Sequence, residues 1–172
     1  MIRKVAKFAR LAGLATGLAL GLAGCFQPVH GPGLSAVTAA LPQITVDPIG
    51  GHIGHHLKSE LDFLLNNGTP PAQPLYRLKV LPSGAGSPIV ADSATGRPQI
   101  MAYHMAASYV LTSIKDGRVV SSGSAQVQAS YDRNSQRFAA VRSVRDVEIR
   151  AATQMAEQIK IRIIPGLAGL KD

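Results

Sequence analysis

The chain has 172 residues, with 18 lysines and arginines against 10 aspartates and glutamates, which gives a formal charge of +8. Four basic residues lie in the first ten positions, and the rest of the chain has 14 basic and 10 acidic residues, a balance of +4. This mild excess excludes the strongly basic surface of a typical nucleic-acid-binding domain, so we expect no nucleic-acid partner. The single cysteine excludes an intramolecular disulfide.

The amino terminus has the pattern of a lipoprotein signal peptide. A basic segment is followed by an apolar one at 11–20, and Leu-Ala-Gly-Cys at 22–25 resembles a lipobox. We therefore expect residues 1–24 to be removed and Cys25 to carry acyl chains, palmitate among them, that hold the protein at a membrane. The alternative is an uncleaved anchor, but the uncharged run at 11–26 has 16 residues, whereas a span needs about 20.

Removal of the signal peptide leaves 148 residues, the size of one domain. Residues 25–42 are rich in proline and glycine and show no hydrophobic period, which predicts a lipidated tether. We expect residues 43–172 to form a single α+β domain.

The first elements of this domain are a short strand and a helix. Residues 43–46 alternate as a strand does, and apolar residues then recur at helical spacing over 49–66. Asn66-Asn67-Gly68 is a helix stop.

The next segment combines a strand with a long connection. Tyr76, Leu78 and Val80 alternate with basic residues, which predicts a half-buried strand. Residues 82–98 are rich in Gly, Ser and Pro, and this composition predicts a loop.

Residues 100–115 and 118–131 flank Asp116-Gly117, a strong hairpin signal. A two-residue turn would pair Lys115 with Arg118, and small apolar residues would then share the face suited to helix packing. The opposite face would collect larger side chains as candidates for a partner or lipid surface, unless another part of the same chain covers them: Tyr103, Met105, Tyr109 and Leu111.

A second helix follows this hairpin. Ser143-Val144-Arg145-Asp146 fits a capping box, and apolar residues continue at helical spacing to Ile163. Pro165-Gly166 predicts the end of this helix.

We find little that favours catalysis. His52 and His56 have the i,i+4 spacing of a shared metal site, but Ile53 stands where a His-Glu-x-x-His hydrolase needs glutamate, so exposed histidines and no metal are the expectation. No Gly-x-Ser-x-Gly turn or phosphate-binding glycine loop occurs, and we expect neither an enzyme nor a cofactor. Some basic residues are candidates for phosphate contacts, the alternative being scattered solubilising charge: Lys115, Arg118, Arg133 and Arg137.

Several short motifs, taken in order, resemble the lipopolysaccharide (LPS)-assembly lipoprotein family (LptE-like). The opening Cys-Phe-Gln-Pro-Val-His-Gly at 25–31 is close to the family's Cys-Gly-Phe-x-Pro-Leu-Tyr-Gly, although it lacks the first glycine and has His30 in place of tyrosine. Ala-Ser-Tyr-Val-Leu at 107–111, Ser-Tyr-Asp at 130–132 and Arg-Ala-Ala at 150–152 add to the match.

The resemblance implies a mixed or antiparallel four-stranded sheet with two helices packed on one face. It also implies a non-enzymatic lipoprotein that partners the LptD barrel and assists LPS assembly at the cell surface. Phe26 after the cysteine, instead of the aspartate that favours inner-membrane retention, is compatible with the periplasmic side of the outer membrane. In that setting the basic residues would meet LPS phosphates. The alternative is an auxiliary lipoprotein of another envelope lipid-transport system.

Overall fold

The computed structural model describes residues 37–91, 96–133 and 135–169. The predicted signal peptide, Cys25 and most of the predicted tether lie outside them. Val37, which sequence analysis assigned to the tether, is 3% exposed and belongs to the hydrophobic core. The part of the chain that packs therefore begins before residue 43.

The first strand and helix follow the sequence pattern. Strand β1 spans Ile44–Val46 and helix α1 spans Gly51–Asn66, after a short 3-10 turn. Asn67 adopts the left-handed conformation with φ 54°, and Gly68 N donates to Asp62 O at 3.0 Å. This arrangement ends the helix where Asn66-Asn67-Gly68 predicted, because left-handed residues let the last carbonyls find donors.

Strand β2 spans Tyr76–Ala91, so the predicted loop at 82–98 is wrong over most of its length. Residues 82–88 pair with β3 in an unbroken antiparallel register. Asp47 N donates to Leu78 O, so even-numbered residues of β2 direct their backbone groups towards the β1 side. Within the described ranges, no strand pairs with that side beyond Leu78. Pro82 and Pro88 are even-numbered, and their missing N–H groups cost no sheet hydrogen bond.

Strand β3 spans Pro98–Ser113 and strand β4 spans Val119–Asp132, but their register differs by one residue from the prediction. Tyr109 lies opposite Gly123 rather than Ser124. A Cβ at Gly123 would lie 2.9 Å from Tyr109 Oη, so the glycine makes room for the ring. Ala125 and Ala129 lie on the buried face, as predicted, but the observed register places Tyr103 and Met105 on that face beside them, whereas the predicted register placed these two residues on the opposite face.

Helix α2 spans Arg137–Ala168 and is longer than predicted at both ends. Ser143 is not a cap: it lies inside the helix, and its Oγ donates to Ala139 O at 3.0 Å. Pro165 also lies inside the helix, four residues before its carboxyl-terminal boundary at Gly169. At Gly166 an added Cβ would lie 2.6 Å from Val120 O, so the small residue allows α2 to approach β4 closely.

The sheet has four strands in the order β1-β2-β3-β4, with β1 parallel to β2 and the other pairs antiparallel. Helix α2 packs on β3 and β4, and α1 packs on β1 and against α2. The predicted α+β class, with a mixed four-stranded sheet and helices on one face, is confirmed. The largest fully buried side chains come from every helix and strand except β4: Ile44, Leu57, Leu61, Leu78, Met105, Leu111, Val147, Met155, Ile159, Ile163 and Leu167.

Candidate functional site

The hairpin turn is longer than the two-residue turn that Asp116-Gly117 predicted. Ser113 N donates to Arg118 O at 2.9 Å, and Gly117 N donates to Ser113 O at 3.0 Å, so four residues form the turn. Gly117 has φ 71°, a conformation that glycine adopts without strain. Lys115 and Arg118 are therefore not a cross-strand pair, but both stand exposed at this end of the sheet.

Asp116 offsets part of the positive charge at the turn. Its carboxylate accepts from Arg118 N at 3.3 Å, and its Oδ2 lies 3.8 Å from Arg118 Nε. Hydrogen bonds from Ser113 and from the Arg118 backbone hold the pKa of this carboxyl below its ordinary value, so it stays ionised at neutral pH.

An amphiphilic hollow lies on the open face of the sheet next to this turn. Its volume is about 590 Å³, and Arg77, Lys79 and Val110 line it together with Ile114 and Gly117. Val110 is 37% exposed and Ile114 44%, while the guanidinium of Arg77 lies 3.7 Å from Asp47. We name this hollow, with Lys115 and Arg118 at its end of the sheet, the turn-end site. Cationic and apolar groups side by side suit a ligand that is both anionic and apolar.

The four basic residues predicted to contact LPS do not form one cluster. Lys115 and Arg118 precede β4, whereas Arg133 and Arg137 follow it. A 14-residue strand lies between the two pairs, and at about 3.3 Å per residue it separates them by roughly 45 Å. Arg133 N donates to Gln99 O at 2.9 Å, which fixes the second pair at the far end of the hairpin. The pairs are two separate candidate sites.

The residues predicted to form a partner face are buried instead. Tyr103 is 7% exposed, Met105 1%, Tyr109 5% and Leu111 0%. The one-residue shift in register exchanges the faces, and the helices of the same chain cover these side chains. The prediction of a partner surface made of these four residues is therefore wrong.

The described helices leave the opposite face of the sheet uncovered, and this face is mostly polar. Its centre is a shallow groove of about 610 Å³, lined among others by Ser83, His104, Gln126 and Gln128. Ser87 Oγ lies 3.0 Å from His104 Nε2 within this surface. Sequence reasoning missed this groove because the register error placed Ala106 of β3 on the face opposite to Gln126 and Gln128, and because residues 82–88 were assigned to a loop.

The histidines of α1 lie close to one another and to an acidic residue of α2. His52 and His56 have ring centroids 4.7 Å apart, and His52 Nδ1 lies 3.5 Å from Glu148 Oε2 across to α2. Among the residues that the structure describes, no group of three or more potential metal ligands occurs. In the same described ranges, no helix has the length and apolar character needed to cross a bilayer.

This fold is similar to that of solved bacterial lipoprotein structures, among them the following two. A protein described as a lipoprotein from Caulobacter crescentus CB15 matches with a TM-score of 0.67 at 24% identity, covering 79% of this chain and 98% of that one. A minor lipoprotein from Acinetobacter baumannii matches with a TM-score of 0.51 at 12% identity, covering 71% of this chain and 88% of that one. No protein-family model and no curated protein matches the chain. At these identities the likeness establishes the fold alone.

Proposed function

We propose that this chain is a non-enzymatic, lipid-anchored subunit of the outer-membrane LPS translocon that partners an LptD-type barrel. The observation that carries the proposal is the order of elements behind the lipobox. Cys25 is followed by strand, helix, three strands and a long helix, the order expected from the resemblance to the LPS-assembly lipoproteins. The Caulobacter crescentus and Acinetobacter baumannii proteins that share this fold are both described as lipoproteins.

The turn-end site is the surface we assign to LPS. LPS presents phosphates next to acyl chains, and this site offers basic side chains next to exposed Val110 and Ile114. Lys115 lies within the turn, and Arg118 accepts the closing hydrogen bond of the hairpin through its backbone oxygen. Both side chains are exposed, so they reach a ligand without disturbing the core. Charge-assisted contacts to phosphate supply the polar part of the binding, and the apolar rim supplies the rest.

Recovery of the tagged chain from detergent-solubilised membranes tests the partnership. The expected result is co-purification of an LptD-type barrel with the full chain. A matched control joins residues 1–36 to an unrelated soluble domain, which keeps the anchor but removes the fold. Equal recovery of the barrel with this control would rule out a partnership that depends on the folded domain. Recovery of transporter or substrate-binding subunits with the full chain would favour another envelope lipid-transport system.

The two basic pairs provide a matched test of LPS binding. Replacing Lys115 and Arg118 together by glutamate should weaken LPS binding by about tenfold or more, since two charge-assisted contacts are lost. The control replaces Arg133 and Arg137 by glutamate, with the same change in net charge at the far end of β4. Binding isotherms of the purified variants with LPS measure both effects. An equal loss of LPS affinity in the two variants would indicate a nonspecific charge effect and would rule out the turn-end site as the LPS-binding surface.

A further inference from the structure

Among the residues that the structure describes, no strand pairs with β4 on its outer side or with β2 beyond Leu78, and only the β2 edge carries the features that prevent edge-to-edge pairing. The free part of β2 beyond Leu78 contains Lys79, Pro82 and Pro88, and both prolines turn their nitrogens outward. Prolines and lysines on an edge block the addition of another strand. The β2 edge is thus protected.

The β4 edge has no such protection. From Val119 to Tyr131 the strand contains neither proline nor a charged residue. Arg133 N donates to Gln99 O, so odd-numbered residues of β4 direct their backbone groups to β3 and even-numbered ones direct theirs outward. One outward acceptor, Ser130 O, receives a hydrogen bond from Arg150 at 3.2 Å. The outward groups of Ser122–Gln128 face away from the sheet.

The sequence of this edge reads the same in both directions. Residues 124–130 are Ser-Ala-Gln-Val-Gln-Ala-Ser, with Val127 at the centre. Two antiparallel copies of such a strand place each residue opposite its own kind when Val127 meets Val127. We propose that this edge pairs with the β4 edge of a second copy of the chain and joins two four-stranded sheets into one of eight strands.

The hydrogen-bond parity of β4 fits this register. With Val127 on the two-fold axis, Gln126 lies opposite Gln128 of the other copy, and Ser124 lies opposite Ser130. These are even-numbered residues, whose N–H and C=O groups point outward, so each pair exchanges two hydrogen bonds. Ser130 O keeps a lone pair for this exchange beside its bond to Arg150. A two-fold axis that passed between two residues would place even-numbered residues opposite odd-numbered ones, and the pairs would then lose this exchange.

The side chains of the edge also suit self-pairing. On the open face, glutamine amides of the two copies lie opposite each other and can form mutual hydrogen bonds. On the helix side, Ala125 and Ala129 are small enough for the backbones to approach. A groove of about 360 Å³ runs beside the edge, and Ile161 on its α2 wall is 67% exposed. The second strand gives this isoleucine an apolar neighbour.

Disulfide trapping in the full chain tests the register. In the Val127→Cys variant, the two cysteines form a non-hydrogen-bonded pair with Cα atoms about 4.5 Å apart, within the range of a disulfide. The matched control is Ser83→Cys on the protected β2 edge, and the parent chain accounts for Cys25. Purified in detergent and oxidised, Val127→Cys should give covalent dimer well above both controls. Equal yields in the three proteins would overturn the proposal.

A backbone substitution tests the hydrogen bonds. Gln126→Pro removes an outward N–H and leaves the pairing of β4 with β3 intact, as Pro82 and Pro88 do on β2. Sedimentation in detergent should show the parent chain as a dimer and Gln126→Pro with a dissociation constant raised by about tenfold or more. Gln126→Thr keeps the N–H and should remain dimeric. The proposal would be overturned by a monomeric parent chain. It would also be overturned by a folded Gln126→Pro variant that dimerises as well as the parent. If this variant does not fold, disulfide trapping decides the case.

Discussion

At the scale of single residues, Gly166 sets how closely α2 approaches the sheet. An added Cβ would lie 2.6 Å from Val120 O and 2.8 Å from Ser121 Cβ, and the first of these is backbone that cannot rotate away. We expect Gly166→Ala to lower the free energy of unfolding by about 1–3 kcal/mol, as overpacking does. Urea denaturation measures this change. Gly169→Ala is the matched control, because the added Cβ would lie 3.5 Å from Pro165 O, an ordinary contact, and no destabilisation is expected.

Tyr103 makes stability depend on pH at the alkaline end. Burial raises the pKa of its phenol above 10.0, and the nearby Glu148 and Tyr131 raise it further. The folded state therefore holds this proton more tightly than the unfolded state does. The contribution of this phenol to the free energy of unfolding is fully present below the ordinary phenol pKa and is lost as the pH rises towards the folded-state pKa. Denaturation of the parent chain and Tyr103→Phe across pH 9–11 should show a steeper loss in the parent; parallel curves would contradict this assignment.

At the scale of elements, α2 begins six residues before the serine that the capping-box pattern selected. A capping serine costs about 1 kcal/mol when replaced by alanine. Ser143 instead lies within the helix, where alanine has the higher helix propensity, and we expect Ser143→Ala to be neutral or to stabilise by about 0.5 kcal/mol. Ser59→Ala within α1 is the matched control, with the same expected sign. Thermal unfolding checks both, and a loss of about 1 kcal/mol at Ser143 alone would restore its role as a cap.

The elements also show where sequence reasoning succeeds and where it fails. Helix α1 could be predicted because its apolar period and its Asn-Gly stop are local signals. The strand at 82–88 could not, because its prolines and glycines are tolerated only on an open edge, and which strand forms that edge depends on the whole sheet. The prediction of the partner face was wrong for a related reason. A turn of four residues instead of two moved Tyr103 and Met105 from a predicted partner face into the core.

At the scale of the whole molecule, the boundary of the folded unit is a testable property. Val37 is 3% exposed, and Ala40 and Leu41 pack against the same core, although all three precede the predicted start at residue 43. A chain of residues 36–172 should therefore unfold cooperatively. In a chain of residues 43–172, the free energy of unfolding should be lower by about 1.5–3 kcal/mol from the loss of Val37 alone.

Urea denaturation of the two truncated chains, with Val37→Ala in the longer one, measures this boundary. Val37→Ala in the longer chain should reproduce only part of the loss in unfolding free energy that the shorter chain shows, because Leu41 still packs in that variant. Equal stability of the two truncated chains would place residues 37–42 in the tether, as their composition first indicated. A lower stability of the shorter chain would instead show that residues 37–42 belong to the core. The free tether between the lipidated end and the domain would then be shorter than the sequence pattern predicts.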